Sequence, residues 1–296
     1  MNELLLRAEM FLFSSEKEIV AADVFAALEK SGVEKREAYA LVLAAAMGLR
    51  VDEKAADREW VYNYLLPSIV MPDAGYFRRD PYYSSISLPE VRRGNVALTS
   101  AEYKPFQPFP CGDTFFDRHG RLRAPMGFFE ESFSFPVIAL DDTVWMSLCP
   151  NEIVTMRESV ERACGNVLVY GLGLGYFAFM AARKDNVAAV HVVDCDEQII
   201  QLFSNHILPQ IPCRGKISVE LSDAFVHAES GGFKMHETGR PYDSVFVDIW
   251  HDVSDGLPMY KRMKALQSAY ANENQHFDFW IEPSLKCYLQ PRDNGL

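Results

Sequence analysis

Apolar positions along the first quarter of the chain recur at spacings of three and four. Ala22, Val24, Phe25 and Leu28 are followed by Tyr39, Leu41, Val42 and Ala45, the signature of amphipathic helices between about Asn2 and Leu66. The Ser31-Gly32 pair predicts a turn between two of them. Met1 to Phe13 is apolar but carries Glu3, Arg7 and Glu9, a pattern that suits an amphipathic helix better than a signal peptide or a membrane span.

The helical period disappears between about Pro67 and Leu148. Pro81, Tyr82, Tyr83, Pro105, Phe106, Pro108, Phe109 and Pro110 crowd there, predicting a strand-and-turn region. Thr114–Asp117 and Arg121–Ala124 flank Arg118-His119-Gly120 as a short hairpin, and residues 132–140 and 143–148 are two more strands joined at Asp141-Asp142.

From Pro150 onward helix and strand alternate. Pro150 suits the first turn of a helix over 152–163, which Gly165 is expected to end. Strands are predicted at 167–170, 188–193, 216–221, 244–248 and 277–281, with helices at 176–182, 196–206 and 257–271. Such alternation calls for a mostly parallel sheet with helices on both faces, an α/β Rossmann-like fold. The expected organisation is a helical module over 1–72, a strand-and-turn region over 73–148 and the α/β domain over 149–296.

Of the 296 residues 49% are hydrophobic, enough for a sizeable core, and the net charge of -12 argues against capture of nucleic acid or an anionic membrane. Acidic surroundings likewise turn the helical module away from a DNA reader and toward packing or dimerisation. The six cysteines are scattered without metal-binding spacing, so a reduced, cytoplasmic protein with no metal site is expected.

Candidate chemistry begins at Val167-Leu-Val-Tyr-Gly-Leu-Gly-Leu-Gly-Tyr176, an apolar strand running into a turn with Gly171, Gly173 and Gly175 and then a helix. Glycines let the backbone approach a ligand at the carboxyl end of a strand. A dinucleotide fingerprint would need a small residue where Tyr176 stands. The next strand, Val190-His-Val-Val-Asp194, ends in an acid able to hold two ribose hydroxyls, with Cys195 beside it; Asp196 and Glu197 read as helix-start residues. Asp223-Ala224 closes a third strand, where the acid serves either as a ligand or as a helix cap. The segment Tyr242-Asp-Ser-Val-Phe-Val-Asp248-Ile-Trp250-His251-Asp252 brings an acid and an aromatic to the same sheet edge.

Together these segments resemble the motifs of class I S-adenosylmethionine-dependent methyltransferases, nearest the spermidine-synthase-like branch, over roughly 145–282. The resemblance implies S-adenosylmethionine as cofactor. Gly171, Gly173 and Gly175 would shape its methionine end, Asp194 would hold its ribose and Asp223 with Ala224 its adenine, with Cys195 a further cofactor-binding residue. Asp248, Trp250 and His251 would form the catalytic edge, facing a small-molecule or short-peptide substrate, cationic ones included. Before the first strand, Trp145 and Met146 are read as core, and Asn151, Glu152 and Thr155 as ligands for the methionine group.

Polyamine synthases carry a Gly-Gly-Gly-Asp-Gly-Gly type loop and Asp-x-x-Asp, which differ from Gly-Leu-Gly-Leu-Gly and the Asp248/Asp252 spacing here. Aminopropyl transfer and cofactor binding without turnover therefore stand as alternatives to methyl transfer. Only about ten residues follow the segment ending at Leu285, too few to build the last two strands usual in this fold. A shortened sheet, strands from the 67–148 region, or a second subunit in a homodimer would each account for that edge.

Overall fold

The computed structural model describes residues 22–234 and 239–289. In chain order the helices and strands begin with α1 (Ala22–Lys30), α2 (Lys35–Ala46), α3 (Ala55–Trp60), α4 (Ala74–Arg78) and α5 (Pro81–Ser85). Eight strands follow: β1 (Val91–Arg93), β2 (Val96–Tyr103), β3 (Phe109–Pro110), β4 (Phe115–Phe116), β5 (Leu122–Arg123), β6 (Met126–Gly127), β7 (Phe133–Leu140) and β8 (Thr143–Ser147). The α/β part comprises α6 (Pro150–Arg162), β9 (Gly165–Tyr170), α7 (Tyr176–Ala182), β10 (Val187–Asp194), α8 (Glu197–Leu202), β11 (Ile217–Leu221) and α9 (Ala224–Glu229). It ends with β12 (Ser244–Val247), α10 (Val253–Tyr270), β13 (His276–Phe279) and α11 (Glu282–Leu289).

Chain contacts divide into two units. Among the described residues, one contains 22–76 and 102–134; the other contains 77–101, 135–234 and 239–289. The first unit is built on the helical period. Phe25, Tyr39, Leu43, Val61, Leu65 and Ile69 bury against Met126 and Phe128. Tyr39 stacks on Phe128 with ring centroids 3.6 Å apart, and its hydroxyl donates to the Phe106 carbonyl at 2.9 Å. Ala22 and Val24, expected inside, are exposed, because Phe25 fixes which stripe of α1 faces inward. The β4/β5 hairpin forms as expected, antiparallel with Phe115 opposite Arg123. The amphipathic helix expected over residues 1–13 lies outside the described residues.

The second unit contains a five-stranded parallel sheet in the order β11-β10-β9-β12-β13. Counted along the α/β part this is the order 3-2-1-4-5. The chain reverses direction between β11 and β12, so right-handed crossovers put helices on both faces and open a crevice at the carboxyl ends of β9 and β12. The arrangement is consistent with the Rossmann-like expectation. Val167, Val169, Val190, Val192, Phe246 and Val247 are buried, the near-continuous apolar reading of strands covered on both faces.

Several boundaries move for local reasons. The first helix of this part stops at Arg162, and Gly165, expected to end it, opens β9 at φ 64° instead. The helix expected from Leu257 begins at Val253, because Asp252 and Asp255 form a capping box and Pro258 is accommodated inside. Beyond α8 the chain continues in a π-helical turn through Ile207. A second, four-stranded sheet runs β1-β2-β7-β8, with Asp141 and Asp142 both at positive φ in the β7/β8 turn. Among the described residues its strands do not extend the parallel sheet, so the expectation that 67–148 completes that edge does not hold. No helix among them is long and apolar enough to cross a membrane.

Candidate functional site

The glycine turn is shaped by hydrogen bonding from both sides. The Gly171 amide donates to Val193 O at 2.9 Å, and the Gly175 amide closes the turn on Leu172 O at 2.8 Å. Two of the three glycines owe their identity to close approach. A Cβ on Gly171 would lie 1.8 Å from the Asp248 carbonyl oxygen, and one on Gly175 would lie 2.3 Å from the Phe203 ring. At Gly173 the nearest heavy atom would be Met146 Sδ at 3.8 Å, which leaves space over the turn.

Residues that sequence reasoning passed over brace this turn. The hydroxyl of Tyr82, on α5 and fully buried, donates to the Leu174 carbonyl at 2.6 Å. Tyr176 is buried as well, and its hydroxyl donates to Asp80 Oδ2 at 3.0 Å. Asp80 also caps α5 by accepting from the Tyr82 amide, and burial raises its pKa. Asp80-Pro81-Tyr82 reads as a helix start in sequence, but nothing local says which carbonyl the tyrosine will reach. Tyr82→Phe would leave the Leu174 carbonyl buried and unpaired. A loss of about 1–3 kcal/mol in denaturant-melt stability is expected, and a melt identical to wild type would rule the brace out.

A cavity of about 410 Å³ opens over the turn at the carboxyl ends of the strands. Of the residues singled out in the sequence, Gly171, Gly173, Asp194, Cys195, Asp223, Ala224, Asp248, Trp250 and His251 line it; Gly175 does not. Trp145, Met146 and Glu152 also line it, whereas Asn151 and Thr155 do not. The Thr155 hydroxyl accepts the Trp280 indole N–H at 2.9 Å, so Thr155 sets the position of another wall residue.

Asp194, at the end of β10, is buried, and its two oxygens accept the amides of Leu172 and Asp196, each at 2.8 Å. A carboxylate has about four lone-pair sites, so both oxygens retain acceptor capacity toward the cavity. Asp223 caps α9 through Oδ1, which accepts from Phe225 and Val226 at 2.9 and 3.0 Å. Those two bonds do not use Oδ2. His251 is exposed. It is held by Asp255 at 2.9 Å and packs edge-on to Trp145 with centroids 4.0 Å apart. Trp250 is buried against Tyr260 and Gly256, and its indole N–H has no acceptor among the described residues. Asp252, the second acid of the strand-four segment, caps α10.

The electrostatics of the cavity are one-sided. Glu152, Asp194, Asp196, Asp223 and Asp248 line it, and among the described residues no lysine or arginine does. Burial raises the pKa of Asp248, and the neighbouring Asp194 charge raises it further. Glu152 is raised well above the usual range by burial and then by Asp248. Asp194 is raised by burial, opposed by the amides of Asp196 and Leu172. Burial and mutual repulsion thus disfavour ionising Glu152, Asp194 and Asp248, and a cation brought beside them would favour their charged forms.

No protein-family model matches the sequence, and no curated protein matches it. Among solved structures, the chain is similar to spermidine synthase from Thermotoga maritima, at 15% identity and TM-score 0.34, over 49% of this chain and 48% of that one. Spermidine synthase in complex with the transition state analogue AdoDATO is similar at 16% identity and TM-score 0.34, with the same coverage. A candidate O-methyltransferase from Klebsiella pneumoniae is similar at 17% identity and TM-score 0.28, over 40% of this chain and 48% of that one. The chain thus spans about half the length of each of these structures.

Proposed function

We propose that this chain is an S-adenosylmethionine-dependent methyltransferase acting on a small, cationic molecule or a short peptide. The observation that carries the reading is the cavity itself. One concavity joins the glycine turn, the strand-end acids Asp194, Asp223 and Asp248, and a wall of aromatic rings, with no lysine or arginine lining it among the described residues. An adenosyl sulfonium suits that set, being cationic at sulfur and rich in hydroxyl and amine donors. A pyrophosphate does not suit it, because the cavity is acidic and Tyr176 fills the position where a dinucleotide needs a small residue.

In this reading the remaining acceptor sites of Asp194 hold the ribose hydroxyls. Asp223 Oδ2 and the Ala224 backbone, with Cys195, face the adenine, and the space over Gly173 takes the methionine end. When bound, S-adenosylmethionine supplies an electrophilic methyl. The protein's own part is to orient the acceptor at Asp248, Trp250 and His251, to take up the acceptor's proton on the Asp248 carboxylate, and to exclude water with the aromatic wall.

Titration with S-adenosylhomocysteine tests the cofactor. One-site binding with an upward thermal shift is expected, and neither heat nor shift would overturn the reading. The absence of lining lysine or arginine also favours a second reading, aminopropyl transfer, since the carboxylate of S-adenosylmethionine finds no cationic side chain there. Decarboxylated S-adenosylmethionine binding more tightly than the parent compound would select that reading over the first. Binding of either compound without turnover across a panel of small amines would leave a cofactor-binding protein.

A further inference from the structure

Three side chains from three elements, none of them lining the cavity, meet at one point. They are His191 on β10, Glu220 on β11 and His227 on α9, and their candidate ligand atoms all lie within 4.8 Å of one another. We propose that His191 Nε2, His227 Nε2 and Glu220 Oε2 bind a single zinc ion that clips α9 to the parallel sheet.

The geometry is close to what zinc requires. His191 Nε2 lies 3.1 Å and His227 Nε2 3.8 Å from the same carboxylate oxygen of Glu220. Ligand atoms about 2.0–2.1 Å from a tetrahedral zinc stand about 3.3–3.4 Å apart, a spacing the two imidazole–carboxylate distances bracket. Each imidazole is also oriented from behind. His191 Nδ1 is 2.9 Å from Ser218 Oγ, and His227 Nδ1 is 2.8 Å from the Tyr170 hydroxyl. Both hydroxyls can accept an N–H. With zinc on Nε2 the proton of each ring sits on Nδ1 and has one of these hydroxyls as its acceptor, the arrangement found around metal-bound histidines.

His191 and His227 are largely enclosed, whereas the Glu220 side chain is 40% exposed, so solvent can reach the ion and fill a fourth position. Two imidazoles, one carboxylate and water form a donor set that zinc accepts. The consequence for the fold is local. α9 begins directly after Asp223, so an ion held by His227 would fix the helix whose cap lines the cavity. The site does not depend on the cavity's proposed ligand.

Sequence spacing gives little sign of it. The ligands fall 29 and 7 residues apart, on two neighbouring strands and the helix that follows, and only parallel pairing in register (His191 beside Ser218) brings them together.

The test uses full-length protein stripped with chelator and titrated with zinc chloride at neutral pH, with Co²⁺ substitution as a spectroscopic readout. One equivalent is expected to bind and raise the melting temperature, and the Co²⁺ form should show visible d–d bands without a thiolate charge-transfer band. Glu220→Gln, at a half-exposed position, and His227→Gln should abolish both effects. Ser218→Ala and Tyr170→Phe, which retain all three ligands, should weaken zinc binding about 10–100-fold. The proposal is overturned if zinc fails to bind, if Glu220→Gln binds it as tightly as wild type, or if the Co²⁺ spectrum shows cysteine ligation.

Discussion

Asp248→Asn is expected to lower transfer by about 10²–10⁴-fold, the range that loss of a positioned proton acceptor gives, while raising the melting temperature at pH 8. The two effects have one origin. Asp248 sits in the cavity wall at the end of β12, with its pKa raised first by burial and then by Asp194, so ionising it in the folded state is unfavourable. The sign follows from linkage. A carboxyl whose folded pKa lies above its unfolded value leaves stability intact below the unfolded value and removes it as pH rises through the folded one. Asparagine has no such charge. Its advantage should therefore be a few degrees at pH 8, the shift that about 1–2 kcal/mol gives in a chain of this size, and should vanish near pH 4. Calorimetric melts at the two pH values, with S-adenosylhomocysteine formation on a panel of small amines, check both halves. A variant that melts below wild type at pH 8 would remove the electrostatic account of the cavity, and wild-type turnover would remove Asp248 from the reaction.

Gly171→Ala should abolish the cooperative melt or lower stability by more than about 4 kcal/mol, a size reserved for gross steric conflict. The added Cβ would stand 1.8 Å from the Asp248 carbonyl oxygen, a backbone atom that cannot move aside without pulling β12 from β9, and the φ of +93° is itself costly for alanine. Gly173→Ala is the informative contrast. Its Cβ meets nothing closer than Met146 Sδ at 3.8 Å, so only the left-handed backbone at φ +51° opposes it, a cost of about 1–2 kcal/mol. That variant should fold and lose affinity for S-adenosylhomocysteine, because the methyl enters the space over the turn. Circular dichroism melts and calorimetric titration separate the two. A folded, stable Gly171→Ala would show that the turn yields, and unchanged affinity in Gly173→Ala would move the ligand elsewhere.

The contrast divides a motif that sequence treats as uniform. Gly-Leu-Gly-Leu-Gly reads in sequence as a ligand-approach loop, yet two of its glycines answer to the protein itself, Gly171 to the Asp248 carbonyl that follows β12 and Gly175 to the Phe203 ring. Tyr176 shows the same limit. Its bulk argued against a dinucleotide from sequence alone, while its partner Asp80 lies 96 residues earlier and no local pattern pairs them.

By itself the sequence determined the alternation of strands and helices from Pro150 onward, the hairpin at 115–123, and the placing of Asp194, Asp223 and Asp248 at strand ends. Those features arise from near-neighbour physics: apolar runs long enough to be buried strands, turn residues that demand particular backbone angles, and caps that satisfy amides within one helical turn. The tertiary structure decided what depends on distant segments meeting. It gathered the strand-end acids into one cavity with no lysine or arginine among its described lining residues, set Tyr82 beneath the glycine turn, and brought His191, Glu220 and His227 to a point. The physical reason is the register of parallel pairing. Hydrogen bonds between strands far apart in the chain choose which side chains become neighbours, and no local period records that choice.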